Sequence, residues 1–319
     1  MLDEKFRSIE EAIEGIAADN TSGAAEILHH CAGVFSLLKY VDRASISIHQ
    51  AREIIIKICV ALVKSQPDMS ALLRLASQTI EAAYAKSSCP EVFSYASDAA
   101  CRFVESATLS AHGAALCAAD MIREGSTVLT HSRSSTVLEA LLEARRSGKS
   151  FEVILTESRP MFEGRKLASE LDQREIKVTI IADAAASLFL ERADSVLVGA
   201  DKILPDYLVN KIGTRMIALA AREGGTPMYS ICDSSKFIEI DCVSDSELDQ
   251  ADPHELWLDA PNGVTVVNRY FESTPLEYFT GIVTEHGLLS STEASACARE
   301  ASIDQELSDA LKAQSARIK

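Results

Sequence analysis

The first third of the chain repeats apolar residues at intervals of three and four. In FRSIEEAIEGIA, GAAEILHHCAGVFSLLKYV, SIHQAREIIIKICVALVKSQ and DMSALLRLASQTIEAAYA the Ile, Leu, Val and Ala positions fall on one helical face, the spacing of helices that share a core. Turn and capping residues punctuate them at Asn20 to Gly23, Asp42 to Ser45, Gln66-Pro67 and Ser87 to Pro90. The stretch EVFSYASDAACRFVESATLSAHGAALCAADMIREG then predicts one long or bent helix. No strand pattern occurs before residue 120 or so.

Near residue 125 the pattern changes. STVLTHS, FEVILTES, KVTIIAD, SVLVGAD and TPMYSICD are short β-branched runs, each ending in polar residues. Between them lie the helical patterns STVLEALLEARRSG, FEGRKLASELDQRE, AAASLFLERA and VNKIGTRMIALAAREGG. Strands alternating with helices predict right-handed crossovers and a parallel sheet covered on both faces. The fold class is therefore α/β: an N-terminal helical bundle domain, residues 1–120, followed by a Rossmann-like doubly wound, mostly parallel sheet domain, residues 121–319. Ligands of such sheets bind at the carboxyl ends of the strands, where His131, Glu157, Arg159, Asp183 and Asp201 fall. Beyond Asp233 an exposed loop is expected from Cys242 to Pro253. Further strands are expected at Thr265–Asn268 and Gly281–Thr284, with a short helix beginning at Pro275 and a helical tail from Ser291.

Composition adds exclusions. With 319 residues, 47% hydrophobic and 24% charged, the chain reads as an ordinary globular protein of two domains. A net charge of −16 argues against direct contact with nucleic-acid backbone. The eight cysteines stand singly at 31, 59, 89, 101, 117, 232, 242 and 297, without CxxC or zinc-type spacing. No metal or cofactor is called for, there is no GxGxxG or Walker loop, and no apolar run is long enough to span a membrane. Reduced thiols and a start, MLDEKF, unlike a signal peptide predict a cytoplasmic protein.

Candidate chemistry centres on VLVGADKILPDYLVNKIGT, Val196 to Thr214. Asp201 stands at the mouth of a buried strand. Asn210 and Lys211 are expected to open the next helix, where free N–H groups, the dipole and the ammonium suit a phosphate. The plainer reading makes Asp201 a turn residue and Asn210-Lys211 a solvated cap. In THSRSST, Ser132, Arg133, Ser134 and Ser135 open another helix and could hold a phosphate, or the serines could simply cap it. Arg159, beside Glu157, offers a bidentate fork to an anion or else a solvated ion pair. Asp183 is read as an N-cap.

The ordered set THSRSSTVLEAL, VILTESRPMFEGRKLASEL, VTIIADAAAS, VLVGADKI, NKIGTRMIALAA and FESTPLEYFTGIVTEHG resembles the family that unites the alpha, beta and delta subunits of translation initiation factor 2B with methylthioribose-1-phosphate isomerase and ribose-1,5-bisphosphate isomerase. The resemblance runs from about 120 to 290 and implies proton handling by a Cys after the first strand and by the Asp of GAD. Asp201 keeps the aspartate, whereas Ser132 occupies the cysteine position. It also implies substrate contacts by Arg159, Asn210 and Lys211, and by an Arg-Gly-Ala segment for which this chain has Ser22 and Gly23. A serine hydroxyl is far less acidic than a thiol. The leading expectation is thus a noncatalytic, initiation-factor-2B-like regulatory or assembly protein with a sugar-phosphate or nucleotide pocket. The alternative is an aldose-ketose isomerase. A homodimer or higher homo-oligomer is implied, with related initiation-factor subunits as further partners.

Overall fold

The computed structural model describes residues 2–19, 22–41, 46–239 and 251–315. The chain divides into two compact units, Met1–Leu109 with Phe237–Cys242 and Glu300–Lys319, and Ser110–Lys236 with Val243–Arg299. The division is thus not the single cut near residue 120 expected from the change of pattern, because the last helix belongs with the first ones.

The first unit is helical: α1 (Leu2–Ala17), α2 (Ala24–Leu37), α3 (Ile48–Ser65), α4 (Ser70–Tyr84) and the first part of α5 (Cys89–Met121). In α4, Leu72, Leu75, Ala76, Thr79, Ile80 and Ala83 recur on one face and are buried, which is why this sequence is stable as a packed helix. α3 starts at a capping box in which Ser47 and Gln50 satisfy each other's backbone N–H groups. Gln66 donates to the carbonyls of Ile16 and Asp19, tying the end of α3 to that of α1.

The second unit continues β1 (Thr127–Thr130), α6 (Ser135–Arg146), β2 (Glu152–Thr156), α7 (Glu163–Asp172), β3 (Lys177–Ile181), α8 (Ala186–Leu190), β4 (Ser195–Val198), β5 (Lys202–Ile203), β6 (Tyr207–Lys211), α9 (Thr214–Gly224) and β7 (Met228–Ile231). It closes with β8 (Phe271–Pro275), β9 (Gly281–Thr284), β10 (Gly287–Leu289) and α10 (Ser291–Glu300); α11 (Gln305–Ser315) returns to the first unit. The large sheet has the order β10-β9-β7-β4-β1-β2-β3. Its strands are parallel except at β10, which pairs antiparallel with β9. The chain builds outward from β1 through β2 to β3, then reverses to place β4 on the other side of β1. Doubly wound sheets take their ligands where the strand order reverses in this way, here at the carboxyl ends of β1 and β4. On one face the apolar sides of α6 and α7 pack with Ala114, Ala115 and Ala118 of α5 over Val128, Val153, Leu155 and Leu197.

Three expectations change. Asn210 and Lys211 end strand β6 rather than opening a helix, and α9 starts at Thr214. β5, β6 and β8 form a small antiparallel sheet in which Tyr207–Lys211 pairs with Phe271–Pro275, and Pro205-Asp206 is the turn between β5 and β6. Thr265–Asn268 forms no ladder; the strand lies further on, at β8, where β6 supplies a partner. The expected breaks at Asn20 and Asp42 to Ser45, and most of the loop expected from Cys242, lie outside the described residues.

Close approach at one residue fixes how α7 meets β2. A Cβ on Gly164 would stand 1.9 Å from the carbonyl oxygen of Thr156, a backbone atom that cannot swing away. Gly164→Ala should therefore destabilise the protein by about 2–3 kcal/mol through overpacking. Gly15 is exposed within α1, and a methyl group added there would meet nothing within 4 Å. Gly15→Ala should behave oppositely, raising stability by about 0.5–1 kcal/mol. Denaturant unfolding of the two variants checks both signs.

Candidate functional site

The loops after β1 and β2 are joined by a buried polar chain. His131, 2% exposed, has Nδ1 2.6 Å from the hydroxyl of Thr156 and Nε2 2.8 Å from the carbonyl oxygen of Ile212. A carbonyl only accepts, so Nε2 carries the hydrogen. Burial lowers the pKa of His131 below its ordinary value, outweighing the carbonyl bond. In the neutral ring Nδ1 then accepts from Thr156, whose hydroxyl lies 3.1 Å from that of Ser158. Ser158 in turn accepts the backbone N–H of Ser132 at 2.8 Å. Ser132 and Ser158 both adopt left-handed backbone, at φ 63°. Asp183 is not a cap, as expected, but a brace: its carboxylate accepts the backbone N–H groups of Ser158 and Arg159, at 2.7 and 2.8 Å.

The serines divide their roles. Ser134 caps α6, its hydroxyl accepting from the N–H of Val137, and Ser135 is the first residue of that helix. Arg133 makes a bidentate pair with Glu170 of α7, with contacts of 2.9 Å from Nε and from Nη2. Among the described residues no group accepts from the N–H groups of Arg133, Ser134 or Ser135, which leaves the start of α6 with anion-binding capacity.

The other expected anion seat is filled. At the start of α9, Glu272 of β8 accepts the N–H groups of Gly213 and Arg215, at 2.7 and 2.9 Å. Asn210 donates to the hydroxyl of Thr214 at 3.0 Å, and that hydroxyl donates to the carbonyl oxygen of Lys211 at 2.6 Å. The Lys211 ammonium pairs with Glu163 of α7 and lies 5.0 Å from the ring centre of Tyr270.

Asp201 follows β4, beside the end of β7, where the Ser230 hydroxyl donates to the carbonyl oxygen of Gly199. Asp201 is half-buried, and loss of hydration raises its pKa although the ammonium groups of Lys236, Lys211 and Lys202 pull it down. The three lysines are 7%, 6% and 0% exposed. Of the residues singled out from sequence, Asp201 and Lys211 thus share one charged cluster. Arg159 is exposed, with its guanidinium 4.8 Å from the ring centre of Phe162 and a bond of 3.3 Å to the carbonyl oxygen of Leu256. Glu157 pairs with Arg165 rather than with Arg159. Ser22 and Gly23 belong to the helical unit, where the N–H of Ser22 bonds Asp19 and Gly23 is the N-cap of α2.

Sequence reasoning missed Lys202, Lys236, Glu163, Glu170 and Glu272 as site-forming groups. Lys202 was visible beside Asp201 in GADKI; the others have no local signal, since their partners lie on other elements. Among the described residues no group of His, Cys, Asp and Glu is arranged to hold a metal ion, seven cysteines are free thiols, and no helix is long and apolar enough to cross a membrane.

A doubly wound parallel sheet with a charged cluster where its strand order reverses defines an α/β ligand-site architecture. The chain belongs to the Initiation factor 2 subunit family, whose sequence profile matches residues 20–291. It is 39% identical over 172 residues to the putative translation initiation factor eIF-2B subunit 2-like protein of Pyrococcus furiosus, covering 54% of this chain and 60% of that protein. It is 38% identical over 175 residues to the ribose 1,5-bisphosphate isomerase of Archaeoglobus fulgidus, covering 53% of this chain and 55% of that one. The matches thus span less than two thirds of either relative. The crystal structure of the Pyrococcus horikoshii OT3 translation initiation factor eIF-2B superposes with a TM-score of 0.76 at 30% identity, covering 88% of this chain and 96% of that one. The helical region followed by a mostly parallel sheet is the expected fold class, and relatives of both names leave the regulatory and isomerase roles unseparated.

The state of His131 has a measurable consequence. Its folded pKa is lowered from 6.5, so below that value the unfolded chain binds the proton more readily. Stability from this group is present above about pH 6.5 and is lost as pH falls through the ordinary imidazole range. Thermal melts should show the wild type losing more of its melting temperature between about pH 7.5 and 5.5 than His131→Gln does, because the variant has no imidazole to charge.

Proposed function

We propose that the chain is a noncatalytic regulatory and assembly subunit of the initiation-factor-2B type whose strand-end pocket binds a sugar phosphate or nucleotide. One observation carries the reading: half-buried Asp201 lies in the field of the buried Lys202, Lys211 and Lys236, while position 132, where the resembling isomerases have a thiol, is an alcohol on a loop fastened by Ser158. The start of α6 supplies free N–H groups for an anion. Lys211 and Arg133 already hold Glu163 and Glu170, so an anionic ligand competes for them, which suits reversible sensing. In this reading the protein is cytoplasmic, assembles with copies of itself and with related initiation-factor subunits, and makes no direct nucleic-acid contact.

A second reading, an aldose-ketose isomerase, is favoured by Asp201. A carboxylate whose pKa is raised above its ordinary value is a stronger proton acceptor than a free one. Ser132 or a water would then replace the thiol.

Assays with ribose 1,5-bisphosphate and methylthioribose 1-phosphate separate the two. The purified chain should show no turnover above that of Asp201→Asn. The same sugar phosphate at 100 times its dissociation constant should stabilise the protein by about 2.7 kcal/mol, and Lys211→Met should remove most of that stabilisation. Rapid interconversion abolished in Asp201→Asn would install the second reading, and no stabilisation by either compound would remove the sugar-phosphate pocket from both.

A further inference from the structure

Three consecutive apolar side chains, Leu256, Trp257 and Leu258, are exposed on a segment that belongs to no strand ladder. The segment starts with a single 3₁₀ turn, Pro253–Glu255, capped by Asp252, and the N–H groups of Leu256 and Trp257 both donate to the carbonyl oxygen of Pro253 at 3.1 Å. It therefore holds its own shape. Two fastenings tie it to other parts of the second unit. At one, buried Asn268 donates to the carbonyl oxygen of Asp252 at 2.9 Å and to Glu255 at 3.0 Å, and the Tyr270 hydroxyl also donates to Glu255. At the other, Arg159 Nη2 donates to the carbonyl oxygen of Leu256 at 3.3 Å. From Leu258 to Val267 the chain is exposed almost throughout and forms no ladder.

The fastenings differ in strength, and both adjoin the charged groups at the strand ends. Glu255 accepts two hydrogens as a carboxylate, which makes these bonds charge-assisted. The Tyr270 ring that shares them lies 5.0 Å from the Lys211 ammonium. The bond to Leu256 is long for N–H···O and is the only side-chain hydrogen bond of Arg159 among the described residues. The Arg159 guanidinium otherwise rests 4.8 Å from the ring centre of Phe162, and the next residue, Glu163, holds Lys211. Both cations thus rest on consecutive residues, and Arg159 keeps most of its donors unused. A bidentate pair with an oxyanion would replace its one long bond to a neutral carbonyl by two short ones and add the attraction of opposite charges. The carbonyl loses that competition.

We propose that Asp252–Leu258 is a ligand-operated strap: a sugar-phosphate anion in the strand-end pocket draws Arg159 off the Leu256 carbonyl, and the turn swings out about Glu255, so that Leu256, Trp257 and Leu258 display the pocket's occupancy on the surface. This rests on the pocket of the proposed function and adds how its occupancy is transmitted. Trp257, the chain's single tryptophan and 49% exposed, reports the movement. Whichever of ribose 1,5-bisphosphate and methylthioribose 1-phosphate stabilises the full chain should shift its emission to longer wavelength, half-maximally at the concentration that gives half the stabilisation. Amide hydrogen exchange in residues 254–258 should quicken about tenfold over the same range, and sodium chloride of equal ionic strength should produce neither change. Arg159→Met should show the shifted emission and the fast exchange with nothing added, and the sugar phosphate should alter neither further. If Arg159→Met matches the wild type in both readouts, the latch is overturned whatever the pocket binds. Stabilisation by a sugar phosphate with strap exchange unchanged or slowed overturns the release and leaves the proposed function standing. Stabilisation by neither compound removes the trigger together with the sugar-phosphate pocket.

Discussion

Two bonds of one imidazole hold the second unit's strand ends in place. His131 is too deeply buried to carry a proton cheaply, and a neutral ring owns one donor and one acceptor. Both are used, on Ile212 before α9 and on Thr156 at the end of β2. The ring therefore fits a single arrangement of three chain segments, and the Thr156–Ser158–Ser132 bonds extend that arrangement to the start of α6. A fully satisfied buried network of this kind specifies geometry more than it adds stability. What it specifies is how the ends of β1 and β2 and the segment before α9 lie against one another.

The charged groups after β4 are balanced. Buried ammonium groups are costly unless paired, and Lys211 has Glu163 for its counter-ion while Asp201 lies in the field of three lysines. Desolvation still wins at Asp201, whose pKa rises despite them. Helix termini follow the same logic. Glu272 satisfies the start of α9, so the capacity for a further anion belongs to α6, whose cap Ser134 satisfies Val137 and leaves earlier N–H groups open.

Much of the architecture was legible because burial leaves a periodic trace. Val128, Leu129, Val153 to Leu155 and Val196 to Val198 are buried on both faces of a parallel sheet, and such strands read as unbroken apolar runs. β6 was illegible for the opposite reason. Tyr207–Lys211 is short, ends in Asn and Lys, and merges with the pattern of α9, while its partner β8 lies some sixty residues on. Thr265 to Asn268 misled because a β-branched run signals a strand only where another strand is available to pair. Asp201, Asn210 and Lys211 could be singled out as residues with chemistry. That Lys236 acts on Asp201 through its charge, or that Glu170 holds Arg133, depends on elements far apart in sequence coming together, which local spacing does not encode.

The internal ion pairs set what a ligand must do. On the proposed reading, an incoming anion has to compete with the carboxylates that Lys211 and Arg133 already hold. A neutral sugar offers those cations nothing better, and a second monocarboxylate would merely exchange like for like. A phosphate carries more charge and three strong acceptor oxygens, enough to engage the open N–H groups of α6 and compete for a neighbouring cation at once. On the proposed reading, then, the pocket selects by charge before shape. In that reading, with an alcohol rather than a thiol at 132, the energy of that capture is not coupled to proton transfer and remains available to bias how the protein binds its partners.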